Sequence, residues 1–154
     1  RQKALRQKGR NPMALVIDLK PGEKILIGEA VITNDSQRTR LHIAGDAPIL
    51  REKDVMKEED ANTPCKRIYF VIQAMYLSKT PKELHTSYFE LVNDVQKAAP
   101  SCGIFFAQIN DEIINDRYYK AMKLGRQLIE HESELLNAAL GKHSIEKSNK
   151  QAAE

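Results

Sequence analysis

Between Arg38 and Ile43 the side chains alternate. Thr39, Leu41 and Ile43 share one face of an extended strand, and Arg38, Arg40 and His42 share the other. Lys20, Lys24 and Arg51 stand nearby in the same short stretch of chain. Such a row does binding chemistry rather than bond-making: an arginine fork matches a phosphate or a base edge, and lysine adds a mobile point charge. Two readings stay open. The row is an outward face kept soluble by charge, or it is an edge that holds single-stranded RNA through Lys20, Lys24, Arg38, Arg40 and Arg51. Single strands are usually held by stacking their bases on rings. All five Tyr and four Phe lie at Tyr69 or later, so stacking is closed to this stretch. Recognition there falls to arginine forks and to strand main-chain groups.

No other constellation carries chemistry by its spacing. The chain has no Walker loop, dinucleotide-binding glycine pattern or nucleophile elbow, and no cofactor is expected. His131-Glu132 opens like a zinc-protease motif, but Leu135 stands where the second imidazole must be, which predicts a solvated helix surface and no metal site. Glu58, Glu59 and Asp60 cluster in a polar run with nothing to raise a carboxyl pKa for acid–base work. Cys65 and Cys102 lie in apolar surroundings without a CxxC partner, so they read as buried free thiols. An enzyme is not expected.

The elements that must position the basic row are short strands. Leu15–Leu19 alternates, Lys20-Pro21-Gly22-Glu23 has Pro and Gly where a type II turn wants them, and Lys24–Ile27 and Ala30–Thr33 follow around Gly28. Asn34-Asp35-Ser36-Gln37 is a polar turn before the Arg38–Ile43 strand, and Ile49-Leu50-Arg51 is a last short one. Five strands at this spacing predict a small antiparallel meander or partial barrel. Thr63–Leu77 is different in kind. Thr63 suits an N-cap and Pro64 the first helical position, while Cys65, Ile68, Ile72 and Met75 recur at helical spacing. With only Lys66, Arg67 and Gln73 polar, this helix is covered on most sides, yet it is shorter than the roughly 20 apolar residues a bilayer span needs. Thr80-Pro81-Lys82-Glu83 predicts a capping box ahead of a second helix, Phe105 to Ile113 mark a third, and a fourth follows Asn115-Asp116 with Tyr119, Met122 and Ile129 facing inward. The fold class is therefore α+β, a small N-terminal β module followed by a bundle of about four helices.

A length of 154 residues, 42% hydrophobic and 29% charged, gives one ordinary globular domain over 13–140, with strands in 13–52 and helices in 53–140. Residues 141–154 lack periodicity and are expected to be a disordered tail. The net charge of +3 comes from Arg1, Lys3, Arg6, Lys8 and Arg10, because the remainder carries a small negative balance. Residues 1–12 are a basic leader, read either as sequence upstream of a natural start at Met13 or as an arm that binds nucleic acid. The leader is too charged for a secretory signal and no membrane association is expected, so the cytoplasm is the expected compartment.

Leu19 through Ile32, Ile49-Leu50-Arg51-Glu52, and Asp60 through Gln73 together resemble the FlbT family of flagellar regulators, in one register from Met13 to about Glu132. The resemblance implies a post-transcriptional repressor that associates with the 5′ untranslated region of flagellin messenger RNA and works alongside the partner FlaF. A weaker resemblance to the carbon storage regulator CsrA lies in Gly22-Glu23 followed by Ile25, Ile27 and Gly28. It implies RNA contact from Lys20 on the first strand and Arg51 with Glu52 on the last. Asp18 and Leu19 depart from that pattern. Two functional expectations follow: direct binding of the flagellin mRNA leader, or an adaptor that grips FlaF or flagellin through the helical half. Self-association through the open strand edges is a further expectation.

Overall fold

In the computed structural model the backbone is described from residue 15 to 152 and the side chains from 15 to 141. Strands β1 (Leu15–Leu19), β2 (Lys24–Ile27), β3 (Ala30–Thr33), β4 (Thr39–Ile43) and β5 (Ile49–Arg51) precede helices α1 (Pro64–Leu77), α2 (His85–Ala98), α3 (Gly103–Ile114) and α4 (Tyr118–Ala152). The chain is α+β, as its patterning predicts. Two compact units meet in the chain after Val55. The division follows from where the partners lie: each strand pairs within residues 15–51, and each helix packs on other helices.

In the strand unit every pairing is antiparallel, but the neighbours are not those of a meander. β1 pairs with β4 in a two-stranded sheet, and β2 lies between β3 and β5 in a three-stranded one. Alternation puts Ile17, Leu19 and Ile25 into a common core, against which Ile27, Leu41, Ile43 and Ile49 pack half-buried. This core is aliphatic throughout. Gly28, at φ +59, opens the two-residue connection between the paired Ile27 and Ala30, a conformation that strains any side chain-bearing residue.

The helical unit is built around α1, which buries Cys65, Ile68, Tyr69, Ile72 and Met75. Thr63 caps it as expected, its hydroxyl accepting the Lys66 N–H at 3.2 Å. A second device was not legible in the sequence. Glu132 of α4 receives the Thr63 hydroxyl proton on one oxygen and the Cys65 N–H on the other, at 3.0 Å. A carboxylate thus meets the positive end of the α1 dipole. The predicted solvated surface at His131-Glu132 is accordingly corrected: His131 Nε2 also lies 3.0 Å from the Ser101 hydroxyl, with its ring against Phe105. Cys65 and Cys102 are buried free thiols, and burial pushes both above the ordinary thiol range.

Three further expectations are adjusted. Pro81–Leu84 forms a 3₁₀ turn that leads into α2, and the Thr80 hydroxyl donates to Glu83 instead of accepting a backbone N–H. In α4 the inward tyrosine is Tyr118, whereas Tyr119 is 41% exposed. Last, α4 continues helical to Ala152 past the expected boundary at 140.

Candidate nucleic-acid interface

The turn from Lys20 to Glu23 is closed by the Glu23 N–H donating to the Lys20 carbonyl at 3.1 Å, with Gly22 at φ +73 as a type II turn requires. Asn34 fixes this turn to the loop before β4. Its side-chain amide donates to the carbonyls of Leu19 (3.1 Å), Lys20 (2.9 Å) and Gln37 (2.8 Å). Its backbone N–H reaches the Glu23 carbonyl at 2.9 Å, and its own carbonyl accepts from Gly22 at 3.0 Å. Lys20 and the residue before Arg38 are therefore held by one amide.

The result is an open cleft of about 650 Å³ lined by Lys20, Arg38, Arg51 and Lys53, with Asp18, Glu23, Pro21 and Gly22. Of the five cations named by the sequence, three line it. Arg40 stands beside it as the cross-strand partner of Asp18, with Nε 3.0 Å from Oδ1. Lys24 is exposed opposite Thr33 on β2 and does not line the cleft. Lys53 was missed because its run reads as a polar linker. It lies in the 3₁₀ turn Glu52–Asp54 that follows β5 directly.

The cations differ in readiness. Arg51 Nη1 lies 3.8 Å from Glu23 Oε1, while Glu23 Oε2 accepts the Lys20 N–H at 2.9 Å. Glu23 therefore ties the β5 guanidinium to the turn. Asp18 is held below the ordinary carboxylate range, first by the hydrogen bond from Arg40; burial opposes this as the next effect, and the fields of Arg40, Arg38 and Arg51 add to the lowering. Lys20 and Arg38 make no ion pair among the described residues. They are the groups a phosphate meets without displacing a carboxylate. Exposed pairs such as Arg40–Asp18 are weak enough to be exchanged for a ligand. The turn's N–H groups are already engaged, Lys20 by Glu23, Gly22 by Asn34 and Asp35, and Glu23 by Lys20. Recognition in this cleft therefore falls to side chains.

The fold and cleft define a class: an α+β protein whose small open β unit carries a cleft lined by four cationic and two carboxylate side chains. No group of three metal-ligating side chains occurs among the described residues, and none of the described helices is long and apolar enough to cross a membrane. The chain belongs to the FlbT family, whose model, described as flagellar protein FlbT, matches residues 15–136. It is 47% identical over 124 residues to the probable flagellum biosynthesis repressor protein FlbT 1 of Bradyrhizobium diazoefficiens, covering 80% of this chain and 85% of that one. It is 43% identical over 125 residues to the probable repressor FlbT of Rhodopseudomonas palustris strain TIE-1, covering 81% and 99% of the two chains. With the flagellum biosynthesis repressor protein FlbT of Caulobacter vibrioides strain ATCC 19089 it shares 34% identity over 127 residues, covering 80% and 90%. No solved structure matches it.

Proposed function

We propose that this chain represses flagellar synthesis after transcription by binding the 5′ untranslated leader of flagellin messenger RNA. The relatives named as flagellum biosynthesis repressors support the repressor role. The observation that carries the RNA reading is the convergence of Lys20, Arg38, Arg51 and Lys53 on one open cleft. Its lining has no ring, so it grips the backbone of a single strand: arginine forks take phosphate oxygens in pairs, and lysines add charge.

The test is a gel shift of the full chain with labelled flagellin leader RNA. Arg51→Ala is expected to weaken binding about 10-fold or more, the loss of a charge-assisted contact. Lys97→Ala, a charge-matched change on α2, leaves it near wild type. Equal losses in the two variants would remove the cleft from the mechanism. Absence of leader binding at low salt, with FlaF or flagellin captured in the presence of ribonuclease, would replace RNA binding by a protein-adaptor role.

A further inference from the structure

We propose a second RNA-contact surface on the helical unit: a seam of tyrosines and cations between α1 and α4, where an unpaired base stacks on Tyr119. This rests on the RNA-binding reading and adds the ring that the cleft lacks. Tyr69 and Tyr76 lie two turns apart on one face of α1, and Tyr119, Lys123 and Arg126 follow one another on one face of α4. The two faces meet. The Tyr76 and Tyr119 ring centroids are 5.6 Å apart, Lys123 Nζ lies 4.8 Å from the Tyr119 centroid, and Arg126 Cζ lies 5.4 Å from that of Tyr69. Tyr69 is 2% exposed, whereas Tyr119 is 41% exposed, so Tyr119 is the ring a base can reach.

Charge points the same way. No Asp or Glu occurs from Pro64 to Leu77 or from Tyr118 to Ile129, while Lys66, Arg67, Lys120, Lys123 and Arg126 do. The carboxylates just before α4 are occupied: Asp111 and Glu112 by Arg117, and Asp116 by the Tyr118 hydroxyl. The near-neutral total thus conceals two all-cationic helix segments packed together. Tyr119 beside the Lys123 ammonium, with the Arg126 guanidinium over the neighbouring Tyr69, has the composition of a single-strand platform: a base displaces the mobile ammonium to stack, and the cations take the phosphates beside it.

The experiment is fluorescence anisotropy of the full chain with a labelled oligouridine of about 12 nucleotides, within the span one such surface covers, and with an abasic strand of equal length. Tyr119→Ala is expected to weaken oligouridine binding roughly 5- to 100-fold and leave the abasic strand unchanged. Tyr119→Phe keeps wild-type binding, and Lys123→Ala weakens both strands alike. The seam is overturned if Tyr119→Ala binds oligouridine as wild type does, or if it weakens both strands equally, which marks a polyanion or acidic-protein surface without stacking. Loss in Arg51→Ala but not in Tyr119→Ala leaves the cleft and removes the seam; the converse keeps the seam and removes the cleft. Binding of neither strand removes the seam, while the cleft stands or falls on the leader gel shift.

Discussion

The Tyr118 hydroxyl donates to Asp116 Oδ1 at 3.0 Å and lies 3.0 Å from His85 Nε2. With its proton committed to Asp116, the phenol oxygen accepts from His85, which assigns that imidazole its proton on Nε2. Burial first, and the Asp116 acceptor second, push the phenol up to about 12 from its usual 10. The stabilisation held in this phenol is therefore fully present below pH 10 and is lost as the pH rises through about 12. Urea denaturation across that window should show a steeper loss for wild type than for Tyr118→Phe, and an ultraviolet tyrosinate titration should show this late-ionising group missing from the variant. The cleft obeys the same residue-scale logic. Of the cations that line or flank it, Arg40 and Arg51 begin paired with Asp18 and Glu23, and Lys20 and Arg38 do not. Equal formal charge conceals unequal readiness to bind.

Among the elements, α1 shows how a polar residue becomes part of a core. Gln73 is 6% exposed, and its amide exchanges two hydrogen bonds with the backbone of Met56, accepting the N–H at 2.8 Å and donating to the carbonyl at 3.0 Å. This pairing copies one rung of a β ladder and anchors the segment that enters the helical unit. Gln73→Leu keeps the volume but strands both Met56 groups, so it should cost about 1–3 kcal/mol in urea denaturation, mostly through unsatisfied polar groups. On α4, Gly125 serves close approach: a Cβ there would stand 3.2 Å from Tyr69 Cδ2. That contact lets the two seam-forming helices meet with their rings and cations side by side.

At the scale of the molecule, the proposed binding depends on where cations gather locally, because the total charge is only +3. Neutralising about four phosphates in the cleft gives a slope of about −3 in log affinity against log salt for a single strand. Deleting residues 1–12 should leave leader binding with that slope, measured by salt titration of the gel shift. A slope collapsing toward zero in the truncated chain would assign the binding to the basic leader instead. The division after Val55 follows the same distribution, since the strand unit carries the cations of the cleft and the helical unit carries every Tyr and Phe.

Much of this was legible in the amino-acid sequence alone. The five strands, the Pro21-Gly22 turn, the Thr63 cap and the inward face of α1 follow from alternation, turn chemistry and helical spacing, which are properties of neighbours along the chain. Tertiary structure alone decided that β1 pairs with β4 and β2 with β5, that Asn34 joins two turns, that Lys53 lines the cleft, that Asp18 occupies Arg40, and that Tyr118 turns inward while Tyr119 turns out. Each of these depends on partners brought together from distant positions, and their register and packing are energies of the whole fold that no local window of sequence contains.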